Sequence, residues 1–174
     1  MRENGGQYTH AAVWSAMAFA MLDDAPRAWE LFTMICPVTH AKSADAIAVY
    51  RTEPYVLAGD VYALAPHTGR GGWTWYTGSA GWMYRFILES LLGLSLEGDT
   101  LHVSPCVPAD WTSFTVRYRF RETVYHITVL QTPIQDGGPR LTVDGVDLPG
   151  PSFPLVDDRR SHAVEVRMAP SGAS

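Results

Sequence analysis

Around Gly93 the spacing of apolar residues along this chain changes, and the change dictates two kinds of structure in one polypeptide. Upstream the apolar residues recur at helical spacing. Residues 9–22 are apolar on nearly every face, as for a helix buried among helices. Asp23-Asp24 then supply turn and cap chemistry, with Pro26 in the first turn of an amphipathic helix that stops at Pro37. Ser43 and Asp45 open a short helix to Tyr50, which Glu53-Pro54 breaks, and 55–64 reads equally as helix or extended chain. Residues 79–92 are again almost wholly apolar, carry Arg85 and Glu89 at i,i+4, and end with Gly93 as a C-cap. Downstream the period is two. Phe114, Val116, Tyr118 and Phe120 alternate with Thr115, Arg117 and Arg119, and a second run covers 124–130, which predicts an antiparallel hairpin. Further strands are expected at 101–103, at 141–143 turned by Asp144-Gly145 into 146–148, and at 163–168. The fold class is therefore α+β, helices followed by an antiparallel β-sandwich, with 1–93 and 94–174 as the two parts. The final residues, 169–174, read as frayed.

Size and charge narrow the function classes. With 174 residues and 47% hydrophobic content the chain can build a real core. Its net charge of −5 comes from scattered residues, which leaves no basic stripe for nucleic acid and no cationic helix for a membrane surface. The apolar stretch at 11–22 is too short to span a bilayer, so a cytoplasmic location without membrane insertion is expected. Cys36 and Cys106 form no metal spacing and read as buried thiols in a reducing compartment. The six histidines show no pairing suggestive of metal, and Asp23-Asp24 and Asp157-Asp158 read as turn acids. No metal and no cofactor are assigned.

Two polar, Gly-rich loops each open an apolar helix: Arg2-Glu3-Asn4-Gly5-Gly6-Gln7-Tyr8-Thr9-His10 and Gly71-Gly72-Trp73-Thr74-Trp75-Tyr76-Thr77-Gly78-Ser79-Ala80-Gly81-Trp82. Together they suit half of a site for sugar and phosphate. An aromatic face covers the axial C–H groups of a pyranose, while an imidazole, a hydroxyl and backbone N–H groups at a helix start are anion donors. Trp14 and Trp82, inside apolar helices, read as core, whereas Trp73 and Trp75 lie in a loop where burial would need a reason. A lone histidine before an apolar helix is more often a capping or packing residue, and only the second loop turns the reading of His10 toward an anion. Arg70, between Gly69 and Gly71, could reach an anion or be solvated.

The run Glu-Asn-Gly-Gly-x-Tyr-Thr-His, then Glu53-Pro54-Tyr55, then Trp-Tyr-Thr-Gly-Ser-Ala-Gly-Trp, then a β segment holding Pro105, Pro108 and Asp110-Trp111, resembles the C-terminal part of glycoside hydrolase family 94. The likeness runs in order from residue 2 to about 130. It is closest in wording to the family's cyclic β-1,2-glucan synthase and 1,2-β-oligoglucan phosphorylase branches. These are inverting glycoside phosphorylases, in which phosphate attacks the anomeric carbon while an aspartic acid protonates the glycosidic oxygen. The resemblance implies an (α/α)6 barrel followed by a β domain, with this chain supplying only the last barrel helices. It places phosphate binding on His10, Thr77 and Gly78 and sugar binding on Glu3 and Trp73. The family's Trp-Asn-Asp type motif bearing the general acid does not occur here, so no catalytic residue is assigned. The isolated chain is expected to be inactive.

Three readings follow: a segment of a glycoside phosphorylase or glucan synthase, a noncatalytic carbohydrate-binding remnant, or an interaction module. The partners expected are a β-linked glucooligosaccharide and phosphate as co-substrate, with the upstream barrel segment or a second copy covering exposed apolar helices.

Overall fold

The computed structural model describes residues 5–75, 77–132 and 138–170 and divides into two compact units, Met1–Ile87 and Leu88–Ser174. The first unit contains helices α1 (Thr9–Met21), α2 (Ala25–Ile35), α3 (Ala44–Tyr50) and α4 (Thr77–Arg85), the last running on into a π-helical turn, Phe86–Leu91. It also contains three short strands, β1 (Gly6–Tyr8), β2 (Asp60–Tyr62) and β3 (Gly71–Gly72), paired antiparallel in the order β1-β2-β3.

The helix starts follow from local chemistry. Asp24 caps α2 by accepting the Arg27 N–H at 3.1 Å, and Ser43 caps α3 by accepting the Ala46 N–H at 3.2 Å. Each satisfies a donor that the first turn leaves without an intrahelical partner. α1 packs against both α2 and α4. It buries only the stripe Thr9, Val13 and Ala16, and α4 with its π turn buries Ser79, Met83 and Phe86 at the same i, i+4, i+7 spacing. The expectation that α1 is buried on nearly every face is corrected here. Trp14 is 52% exposed, not core, and Trp82 is half-buried. The apolar pattern of α1 exceeds what α2 and α4 cover.

The second unit has eight strands among its described residues: β4 (Leu94–Glu97), β5 (Thr100–Val103), β6 (Ser113–Phe120), β7 (Thr123–Gln131), β8 (Arg140–Val143), β9 (Val146–Leu148), β10 (Ser152–Pro154) and β11 (Ser161–Met168). They form a three-stranded sheet, β10-β5-β4, and a five-stranded sheet, β6-β7-β11-β8-β9. Leu94, Leu101, Val103 and Phe153 from the smaller sheet share one core with Tyr125, Ile127, Val129, Leu141, Val164 and Val166 from the larger. The predicted hairpin sets Phe114 opposite Val129 and Val116 opposite Ile127, so the period-two run faces that core. The sheets are not wholly antiparallel as expected: β11 runs parallel to β7, with Val164 opposite Ile127. A parallel neighbour requires a crossover, and the excursion through β8, β9 and β10 provides it. Gln131 donates to the carbonyls of Pro108 (2.8 Å) and Trp111 (2.6 Å), tying the Asp110-Trp111 segment to the end of β7.

Candidate functional site

The small sheet of the first unit brings the two Gly-rich loops to one place. β1 and β3 flank β2, with Tyr8 opposite Asp60 and Asp60 opposite Gly72. Just beyond the pairing, the Gly59 peptide serves both loops. Its carbonyl accepts the Thr9 N–H at 3.0 Å, and its N–H donates to the Trp73 carbonyl at 2.7 Å. Across two strand spacings, residue 9 and residue 73 therefore stand about 10 Å apart. The glycines of β3 are required by what lies beside them. A Cβ at Gly71 would meet Thr52 Cγ2 at 2.5 Å, and one at Gly72 would meet Asp60 Oδ1 at 2.4 Å. Asp60 is 2% exposed, a buried acid to which the sequence reading gave no role.

His10 stands in the first turn of α1 inside an aromatic group. Its ring meets Trp14 edge to face at 4.7 Å, and Tyr8 and Trp82 each lie 5.9 Å away. Trp14 and Trp82 meet edge to face at 5.3 Å, and the Arg85 guanidinium lies over Trp82 at 5.1 Å. His10 Nε2 is buried and has no hydrogen-bond partner among the described residues, and neither does the buried Ser79 Oγ. Buried polar atoms are rarely left so, which makes both atoms available to a polar ligand. Ser79 and Gly78 precede Trp82 by three and four residues, on the helix face that His10 approaches. Gly78 is exposed, with nothing within 4 Å of where its Cβ would stand. Its N–H belongs to the first turn of α4, where no intrahelical acceptor exists.

Of the predicted residues, His10 and Gly78 are thus brought toward one helix face. Glu3 lies outside the described residues, and so does the Thr77 side chain. Trp73 is 56% exposed and lines an open cleft of about 760 Å³ with Ile47, Arg51, Thr52, Glu53, Gly71 and Thr74. Trp75, 69% exposed, donates its indole N–H to Glu53 at 3.1 Å and meets Tyr55 edge to face. The Glu53 carboxylate is held below its usual range by its own backbone N–H and by that indole. Arg51, Thr52 and Glu53 were not expected at the cleft, although Glu53-Pro54-Tyr55 is one of the segments carrying the family likeness. Arg70 lines a different pocket, with Pro66 and His67. Among the described residues no group of His, Cys, Asp or Glu could hold a metal ion, and no helix is long and apolar enough to cross a membrane.

Residues 1–93, which hold both loops, match the family described as the glycosyl hydrolase 94 superfamily, catalytic domain. The chain belongs to that family. It is 49% identical over 129 residues to cyclic beta-(1,2)-glucan synthase NdvB of Rhizobium meliloti (strain 1021), a match covering 74% of this chain and 5% of that protein. Solabiose phosphorylase of Paenibacillus borealis is 31% identical over 168 residues, 95% of this chain and 22% of the relative. N,N'-diacetylchitobiose phosphorylase of Vibrio furnissii is 32% identical over 148 residues, 83% of this chain and 18% of the relative. The chain therefore spans less than a quarter of the length of each of these relatives.

Proposed function

We propose that this chain supplies the phosphate-binding and acceptor-sugar side of an inverting glycoside phosphorylase or cyclic β-1,2-glucan synthase. Its first unit would be the last helices of an (α/α)6 barrel. Phosphate would be held by the His10 imidazole, the Thr77 hydroxyl, the Gly78 N–H and the N-terminal dipole of α4. Glu3 and Trp73 would hold the acceptor sugar, with the ring of Trp73 against its C–H face and Glu53 and Arg51 within the same cleft. Held in line, phosphate would attack the anomeric carbon of a β-glucoside and give an α-sugar 1-phosphate with inversion. The general acid would lie outside this chain. The location would be cytoplasmic and the only co-substrate inorganic phosphate.

The observation that carries this reading is the buried Nε2 of His10, without a hydrogen-bond partner among the described residues and with its ring 5.9 Å from Trp82 of α4. A charge-assisted hydrogen bond to phosphate is worth about 1.5–3 kcal/mol, so His10→Ala is expected to weaken phosphate binding roughly 10- to 100-fold. The test is release of glucose 1-phosphate from β-1,2-glucooligosaccharides with phosphate, by the chain alone and mixed with an upstream barrel segment. Activity only in the mixture, lost with His10→Ala, supports the reading. Activity of the chain alone refutes the placement of the acid, and an unaffected His10→Ala mixture refutes the phosphate role.

One observation favours a noncatalytic, associating module instead. Trp14, Met21, Leu22 and Met34 of the α1–α2 region are 52–84% exposed, a large apolar surface for one small unit. Self-association of the pure chain with no effect of phosphate or oligosaccharide would select that reading.

A further inference from the structure

At one end of the five-stranded sheet a single imidazole joins three separate stretches of chain. His162, near the start of β11, presents Nδ1 to Asp144 Oδ2 at 2.6 Å and Nε2 to Asp158 Oδ1 at 3.2 Å. Its ring stacks on Tyr125 of β7 with centroids 5.1 Å apart, and its side chain is only 14% exposed. A neutral imidazole has one donor and one acceptor nitrogen, whereas an ionised carboxylate only accepts. Two carboxylates on opposite ring nitrogens are both satisfied only by the imidazolium. The face of the Tyr125 ring favours the same charge.

The carboxylates are themselves fixed. Asp144, in the β8–β9 turn, accepts the Ala163 N–H at 2.9 Å, and Asp158 accepts the Arg160 N–H at 3.0 Å and the Thr123 hydroxyl at 3.3 Å. Thr123 Oγ1 in turn accepts the Arg159 N–H at 2.8 Å, and Asp157 accepts the Glu122 N–H at 3.1 Å. We propose that protonated His162 is a latch that holds Asp158, and with it the 158–160 stretch, against the ends of β7 and β8, and that loss of its proton loosens that stretch.

The other charged groups facing the ring and its partners do not replace it. Asp157 adds a third acid beside Asp158. Arg159 pairs with Glu122 at 3.2 Å, and Arg160 reaches Asp158 only at 3.9 Å with its side chain 80% exposed. The Tyr125 hydroxyl is committed to the Val156 backbone at 2.7 and 3.0 Å. When His162 loses a proton, the shorter contact to Asp144 keeps Nδ1–H, and the Nε2 lone pair then faces Asp158. Repulsion falls on the longer contact, so the 158–160 stretch loosens rather than the β8–β9 turn, while Val156 and Asp157 keep their bonds to Tyr125 and Glu122.

The hydrogen bond that His162 donates to Asp144 raises the His162 pKa above its ordinary value, with desolvation opposing and Asp158 adding to the rise. Asp144 is lowered by His162 and by the Ala163 N–H. For Asp158, desolvation acts upward, but the Arg160 N–H and His162 outweigh it and the pKa is lowered. A raised histidine stabilises fully below its unfolded value of about 6.5, and that stability is lost as pH rises through the folded pKa. The lowered acids stabilise above about 3.9, and that stability is lost as pH falls through their folded values. The latch is closed between these limits.

The test is an NMR titration of the His162 ring in the full chain, with amide hydrogen exchange followed at Arg159 and Arg160. The midpoint is expected above about 6.5. Beyond the intrinsic pH effect, exchange at Arg159 and Arg160 is expected to accelerate about two- to tenfold across the midpoint, the worth of one hydrogen bond, while Ile127 and Val164 stay protected. His162→Gln should exchange at the fast rate at both pH values, with no step. Should that variant fail to fold, the titration of the unmodified chain decides. A midpoint at or below about 6.5, or equal protection of Arg160 on both sides of the midpoint, overturns the latch.

Discussion

Replacing Gly93 by alanine should destabilise the second unit far more than a turn glycine ordinarily would. Gly93 has φ +70°, and a Cβ there would stand 2.1 Å from the Ser104 carbonyl carbon, 2.2 Å from its oxygen and 2.3 Å from Pro105 N. These are backbone atoms and cannot rotate aside. Separating the two segments would break the Ser104 N–H bond to the Gly93 carbonyl (2.8 Å) and strain the Cys106 N–H bond to Leu91 (2.9 Å). The left-handed conformation costs a side chain about 1–2 kcal/mol, the forced displacement about 1–3, and a lost backbone bond about 1. The sum, about 3–6 kcal/mol, rivals the whole stability of a domain, about 5–15. Gly145→Ala is the control. It has φ +82° but nothing within 4 Å of its Cβ, so only the conformational cost of about 1–2 kcal/mol applies. Urea unfolding followed by far-ultraviolet circular dichroism gives both values. If the two variants agree within about 1 kcal/mol, the close approach of Ser104 and Pro105 is not what requires glycine, and the reasoning fails.

Two further substitutions probe single hydroxyls. Tyr125→Phe removes the hydroxyl that joins β7 to the Val156 backbone through two hydrogen bonds, so urea unfolding should show a loss of about 0.5–1.5 kcal/mol per bond. Ser43→Ala removes the cap of α3 and should cost about 1 kcal/mol by the same measurement, while Ser43→Asp should stay close to the parent.

The readable parts of the fold were those where local chemistry and burial agree. The alternation from Phe114 to Phe120 and the Asp144-Gly145 turn need no distant partner to be recognised, and both stand where expected. The caps at Asp24 and Ser43 are equally local. β1, β2 and β3 were not readable, because strands of two or three residues carry no period and exist only through one another. The parallel placement of β11 depends on a connection of some thirty residues that no local pattern announces. At the site, position before an apolar helix alone suggested a capping or packing role for His10, and only the second Gly-rich loop turned its reading toward an anion. Asp60 did not, because its burial arises from the sheet and not from its neighbours in sequence. Trp14 was misread as core because its apolar surroundings in the sequence look the same whether or not another helix covers them.

The strand that joins the two loops sets their spacing. Any shift of β2 along its neighbours would break the Gly59 bonds to Thr9 and Trp73 together and turn Asp60 away from Gly72. The connection that follows is under no such constraint. Tyr62 closes it against Arg70 and Gly69 at 2.9 and 2.7 Å, so the intervening residues form a loop whose length the site does not feel. Insertions between 64 and 68, beyond the Ala63 N–H bond to the Gly5 carbonyl, can therefore accumulate over evolution and reshape the surface beside Arg70, while a residue inserted or deleted within 60–62 would disturb both halves of the site together.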